Sequence, residues 1–208
     1  IINFVVTTDA TMQIAHGLGA VPDMIISKNR DTSSNWDVYH SSVGNEHRLK
    51  LNSTAAQENQ DGVWADTDPT SSVFYQKGNG SWHGVGGNII NYCFSEVEGY
   101  SKFGSYIANS NADGLFVHLG FRPAFLIIKK IDGSASWWLV DSTRNPFNVT
   151  NKYLLPDANT AESAGSDYTT ADFVSNGFKI RNTSTAFNSG THIYMAFAEQ
   201  PQKFSNAR

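Results

Sequence analysis

One cysteine, Cys93, is all the chain has, so no internal disulfide staples it, and this small thiol is expected to fill a core position. Charge is scarce as well. Asp, Glu, Lys and Arg make up 16% of the 208 residues, with 15 basic against 19 acidic side chains, a net charge of -4 and no basic run. A nucleic-acid surface needs a concentrated positive footprint, so that partner class is not expected. No apolar run approaches the roughly 18 residues of a membrane-spanning helix, and no membrane insertion is expected. The histidines, His16, His40, His47, His83, His118 and His192, lack the short spacings of zinc ligands. No nucleophile elbow accompanies the serine-rich loops. The reading is therefore non-enzymatic, with no catalytic residue, metal or cofactor assigned. Helical periodicity is missing too, except in residues 53–60 and 157–166, which are brief, polar and good for one or two turns at most. The chain opens at Ile1 without a methionine or a signal pattern, which suggests a processed product or a fragment of something longer.

What the chain does have is a long internal repeat. Gly17-Leu18-Gly19-Ala20-Val21-Pro22-Asp23-Met24-Ile25-Ile26-Ser27-Lys28, followed by Asp31 and Trp36, returns as His118-Leu119-Gly120-Phe121-Arg122-Pro123-Ala124-Phe125-Leu126-Ile127-Ile128-Lys129, followed by Asp132 and Trp137, at a constant offset of 101 residues. Gly87-Asn88-Ile89-Ile90-Asn91-Tyr92-Cys93-Phe94-Ser95-Glu96 matches Gly190-Thr191-His192-Ile193-Tyr194-Met195-Ala196-Phe197-Ala198-Glu199 at an offset of 103. Solenoid repeats run about 20 to 50 residues, so a period this long points to a duplicated β unit. The boundaries read as a first unit over 1–98 and a second over 99–208, either packed together as one sandwich or standing as tandem small sandwiches.

Hydrophobic residues make up 40% of the chain, and Asn, Ser, Thr and Gly fill much of the rest, which is the composition of an all-β protein with polar turns. A chain of this length buries roughly 70% of its unfolded surface and needs no metal staple. Each unit opens with a short strand, 3–7 and 105–108. Met24–Lys28 and Phe125–Lys130 follow as apolar runs buried on both faces or nearly so. After a polar turn comes a strand led by tryptophan, with Trp36, Val38 and His40 on one face and Trp137, Leu139 and Asp141 on its counterpart. Ile89–Val97 and His192–Ala198 are rich in Tyr, Phe and Ile and suit a central position. Strands of this number predict a β-sandwich of jelly-roll type built from an internal duplication.

The repeated corner has a backbone rationale. Gly19 and Gly120 supply positive φ or close approach, while Pro22 and Pro123 fix φ and remove a donor just before the strand. These four are read as structural. Neither corner leads into a helix, so neither cradles a phosphate.

Glu98-Gly99-Tyr100-Ser101-Lys102-Phe103-Gly104-Ser105-Tyr106, the Gly120-Phe121-Arg122-Pro123-Ala124 corner, Ser175-Asn176-Gly177-Phe178-Lys179 and Ile193-Tyr194-Met195-Ala196-Phe197-Ala198-Glu199 together resemble a domain of virion structural proteins of tailed bacteriophages, especially those infecting marine bacteria and cyanobacteria. The resemblance spans essentially the whole chain. It implies a tail, fibre or other exposed virion part, assembled in the host cytoplasm and working in the virion. It also implies other virion proteins as partners, and it carries no catalytic motif. A fibre would be a homo-oligomer, expected as a trimer.

Aromatic rings in polar loops are the usual platform for sugars. Trp64, Trp82 with its neighbour His83, and Trp138, which points opposite Trp137, are accordingly the candidate ligand-binding residues for a host-surface glycan. Trp36 and Trp137 are duplicated and read as core. Glu96 and Glu98, two apart on a continuing strand, would point to one face about 6.5 Å apart. That spacing is compatible with a glycosidase pair, yet it is read as a solvated face or an ion pair. Asp61, Asp66 and Asp68 are a loop cluster without the calcium-loop pattern. Asn52, Asn79, Asn148 and Asn182 open Asn-x-Ser/Thr triplets and are read as polar loop residues. The leading function is a structural tail or tail-fibre domain with a role in host attachment. The alternatives are a capsid decoration domain, a carbohydrate-binding module and, last, a glycan hydrolase.

Overall fold

The computed structural model describes residues 1–59, 62–78, 83–164 and 170–200. It is all-β: several antiparallel sheets and no helix among the described residues, consistent with a β-sandwich. The chain divides into two compact units, Ile1–Ser95 and Glu96–Arg208, with the boundary just ahead of the one read from the sequence.

The first unit contains β1 (Ile2–Val5), β2 (Thr11–Ala15), β3 (Met24–Asn29), β4 (Trp36–His40), β5 (His47–Lys50), β6 (Glu58–Asn59), β7 (Val73–Lys77) and β8 (Asn88–Phe94). Six of these form one sheet in the order β1-β8-β3-β4-β5-β6, and β2 pairs with β7 separately. Alternation decides which side chains meet. Ile25, Tyr39 and Cys93 share one face of the large sheet, since Ile25 lies opposite Tyr39 on one side and opposite Cys93 on the other. Against that face pack Ile14 and Phe74, cross-strand partners on β2 and β7, together with the loop residues Val63 and Trp64. Full burial of such side chains contributes about 1.5–3 kcal/mol each. Opposed apolar faces, rather than local propensity, hold these short strands.

The second unit contains β9 (Ser101–Ile107), β10 (Phe116–His118), β11 (Pro123–Lys130), β12 (Trp137–Asp141), β13 (Lys152–Tyr153), β14 (Ser163–Ala164), β15 (Ala171–Val174), β16 (Gly177–Ile180) and β17 (Thr191–Ala198). Its sheets run β12-β11-β17-β9, β10-β16-β15 and β13-β14. Leu126, Ile128, Trp138, Val140, Tyr194 and Ala196 from the first sheet meet Val117, Phe173, Phe178 and Ile180 from the second in one apolar core.

Residues 53–60 and 157–166, too brief and polar for more than one or two turns, contain no helix where they are described. Glu58–Asn59 and Ser163–Ala164 are instead short strands, because isolated polar turns do not repay helix nucleation, whereas Glu58 gains Arg48 and Lys50 as ion-pair partners. The strand predicted through Val97 stops at Phe94, and Glu98 stands in a turn. Glu96 and Glu98 are thus not neighbours on one strand face.

Corresponding hydrogen bonds recur in the two units. Asp31 Oδ2 accepts from the Asn88 N–H at 2.7 Å, and Asp132 Oδ2 from the Thr191 N–H at 2.8 Å. Lys28 Nζ donates to the Ser34 carbonyl, and Lys129 Nζ to the Ala135 carbonyl. The Ser41 N–H bonds the Asp23 carbonyl, and the Ser142 N–H that of Ala124. His40 Nδ1 accepts from the Ser42 N–H, and Asp141 Oδ1 from that of Thr143. Both corner glycines have positive φ, +73° at Gly19 and +83° at Gly120, and both prolines after them are buried.

Candidate functional site

The Ile25 face of the first unit is not apolar throughout. On β3 the next inward residue after Ile25 is Ser27. It faces Asn91 of β8 on one side and Asp37 of β4 on the other, and Asp37 in turn faces Lys50 of β5. Four consecutive strands therefore carry a row of polar side chains across the sheet. Directly opposed Cβ atoms lie about 4.5–5.5 Å apart, so neighbours in the row are within reach of one another. Ser27 and Asn91 are fully buried and Asp37 is 2% exposed. From the opposing layer, Gln76 of β7 and His83 descend on the same row, both buried.

Two networks result. Gln76 Nε2 donates to Ser27 Oγ at 3.0 Å, and Ser27 Oγ lies 3.3 Å from His83 Nε2. Beside it, Arg48 Nη1 donates to Asp37 Oδ1 at 3.0 Å and Nη2 to Glu58 Oε2 at 3.1 Å, while Lys50 Nζ reaches Glu58 Oε1 at 2.7 Å. Burial pushes the Asp37 carboxyl up to about 6 even though Arg48 pulls it down, because losing water costs the carboxylate more than one guanidinium returns. Glu58 is less buried. Desolvation raises it, but hydrogen bonds from Lys50 and Arg48 prevail and leave it below its ordinary value. Burial, with Arg48 and Lys28 adding repulsion, lowers His83 to about 4, so its imidazole is neutral.

Chemically the row joins strands through hydrogen bonds and ion pairs within the protein. Ser27 and His83 have the contact of a nucleophile and its base, but Ser27 is wholly enclosed by protein, where no substrate carbonyl reaches it. Asp37 and Glu58 are committed to Arg48 and Lys50. No group of three or more His, Cys, Asp or Glu side chains suited to a metal occurs among the described residues. Asp68 Oδ1 accepts instead from Asn45 Nδ2, and Asp61 lies outside the described residues.

Of the ligand-binding candidates, His83 belongs to this site as a buried partner of Ser27, not as a loop donor to a sugar. Trp64 and Trp138 are corrected to core residues, 3% and 6% exposed. Trp64 packs edge-on to Tyr39, with ring centres 5.8 Å apart, and Trp138 lies 4.3 Å from Tyr153. A ring enclosed in this way offers no face to a saccharide. Trp82 lies outside the described residues. Trp137 is buried as expected, while Trp36 is half-buried and stacks on Tyr92. Asn52 uses its side chain to accept from the Trp36 N–H, and Asn148 bonds both backbone groups of Phe173. Asn182 Oδ1 accepts from the Ser184 N–H, and Asn79 lies outside the described residues. Burial pushes the Cys93 thiol up to about 11, which leaves it unreactive in this core.

Reading the sequence in halves missed Ser27, Asp37, Gln76 and Asn91. A signal for three of them was there. At the same registers of the second unit, Ile128 stands for Ser27, Trp138 for Asp37 and Tyr194 for Asn91, and Ile128 pairs across to both Trp138 and Tyr194. All three belong to the apolar core. A sheet of this pattern thus accepts apolar side chains along the row, and the polar set is particular to the first unit.

No curated protein and no solved structure matches the chain. A family model does match, over residues 1–201. On that match the chain belongs to the family described as a domain of unknown function, DUF7483.

Proposed function

We propose that this chain is a non-enzymatic structural domain of a tailed-phage virion, a tail or tail-fibre part built from two copies of one jelly-roll-type β unit. The observation that carries the structural reading is the recurrence of the same strand-holding contacts. Asp31 and Asp132, Lys28 and Lys129, and His40 and Asp141 each bond a backbone group of their own unit. Residues placed twice to tie turns to strands are parts of a frame. The duplication is supported further by register: β8 lies between β1 and β3 as β17 lies between β9 and β11, and the paired residues keep the repeat offsets. A last strand inserted beside strands from the start of the unit is the wrap of Greek-key and jelly-roll sandwiches.

The virion assignment rests on the sequence resemblance, and the surface is compatible with it. Ile107 at the end of edge strand β9 is 73% exposed and Phe147 is 82% exposed, apolar area suited to packing against other virion proteins or further copies of the chain. The carbohydrate-module reading is weakened by the burial of Trp64 and Trp138. Contact with a host glycan would fall to other surface residues. Light scattering on the purified chain tests the proposal. A homo-oligomer, expected as a trimer, agrees with a fibre part. A monomer that releases sugar from bacterial surface polysaccharide would overturn it.

A further inference from the structure

Four polar groups gathered around Ser27 have no hydrogen-bond partner among the described residues: Asn91 Nδ2, Asn91 Oδ1, Gln76 Oε1 and His83 Nδ1. Asn91 and Gln76 are completely buried and His83 is 2% exposed. Unpaired groups at such depth are rare in folded proteins, and each would be costly if left so. All belong to side chains that converge on one residue, since Asn91 is the cross-strand partner of Ser27 and both Gln76 and His83 touch its hydroxyl. Their chemistry selects the ligand. The Asn91 Nδ2 amide donates, and the Asn91 and Gln76 carbonyl oxygens accept. Ser27 Oγ takes the Gln76 hydrogen bond and shares another with His83 Nε2, and the tautomer of the neutral imidazole sets whether His83 Nδ1 donates or accepts. A cation satisfies none of the donors, and an anion satisfies neither carbonyl. Water does both.

From this we infer that the first unit holds an internal water site, one or two ordered molecules bridging Asn91, Gln76 and His83 beside Ser27. Each water takes two to four partners, the number these groups offer. At the equivalent registers of the second unit Ile128 and Tyr194 stand in for Ser27 and Asn91, so this set of groups is not repeated there. The inference is independent of the virion reading.

A high-resolution crystal structure of the full chain is the direct test. It should show water oxygen within about 2.7–3.2 Å of the Asn91 amide and of Gln76 Oε1 or His83 Nδ1. Density for an ion or an organic molecule there, or direct pairing of the Asn91 and Gln76 amides with no density between them, overturns the inference. Water-oxygen magnetic relaxation dispersion provides a solution readout. Asn91→Leu removes two of the four groups and should lower the amplitude from long-lived internal water by at least one molecule, whereas an unchanged amplitude in the folded variant overturns the site. The crystal test uses the unmodified chain, so a variant that fails to fold leaves it intact.

Discussion

Replacing Arg48 by methionine removes the cation that faces Asp37 while keeping most of the side chain's length. Both groups of the pair are enclosed, with side chains 3% and 2% exposed. Glu58 retains Lys50 at 2.7 Å, so the uncompensated charge is that of Asp37. Removing one partner of a buried ion pair costs about 3–5 kcal/mol. Asp37 already sits near 6 with Arg48 present, and without it the carboxyl moves higher and takes up a proton near neutrality. The cost of Arg48→Met should therefore shrink as pH is lowered from 7 toward 4, where a neutral Asp37 no longer needs its partner. A double variant, Arg48→Met with Asp37→Leu, should recover most of the loss, since the second unit carries Trp138 at the equivalent place. Urea unfolding of the unmodified chain, the single variant and the double variant at two pH values is the assay, with native-state hydrogen exchange in β8 reporting on the first unit separately. A loss below about 1 kcal/mol, the range of exposed pairs, or a loss that does not depend on pH, would refute the reasoning.

In the second unit, burial holds His192 near 4, partly offset by hydrogen bonds to the Ala186 and Gly190 backbone. A lowered histidine contributes stability that is present above 6.5 and lost as pH falls toward 4, about 3 kcal/mol at roughly 1.4 kcal/mol per pKa unit. Hydrogen exchange in β17 should accelerate across that window, and His192→Phe, which keeps a ring against Tyr106, should flatten the response. In the first unit His83 follows the same sign, whereas Asp37, raised to about 6, contributes stability below 3.8 that is lost as pH rises through 6, so the two oppose. Gly104→Ala would place a Cβ 2.7 Å from Tyr194 Oη and should cost about 1–3 kcal/mol in thermal unfolding. Gly19→Ala meets no atom within 4 Å and pays only for its positive φ, so its loss should be the smaller of the two, about 1 kcal/mol.

The parts legible in the sequence are those fixed by local chemistry. Period-two alternation and apolar runs gave Met24–Lys28, the strand from Trp36, and their counterparts at Phe125–Lys130 and from Trp137, which the structure shows as Met24–Asn29, Trp36–His40, Pro123–Lys130 and Trp137–Asp141, and the repeat marked which strands correspond. Glycine and proline announced the corners because few other residues take those backbone angles, and Gly19 and Gly120 do have positive φ. The site followed a different logic. Ser27, Asp37 and Asn91 are far apart in the chain and individually ordinary. Only the registers of β3 with β4 and of β3 with β8 put them in one row, and only the second layer buries them under Gln76 and His83. Tryptophan misled for a related reason: composition tells that a ring is large and amphipathic, not which side of a sheet it occupies. Trp138 alternates away from Trp137, as the sequence implied, but the face it reaches is the interior core of its unit. By itself the sequence determined an all-β chain that repeats its strands and corners, since alternation, turn chemistry and repetition are local. Tertiary structure alone decided that the first unit sets a buried polar row beside its apolar cluster where the same registers of the second unit hold Ile128, Trp138 and Tyr194, because burial and hydrogen-bond partners depend on which strands lie side by side.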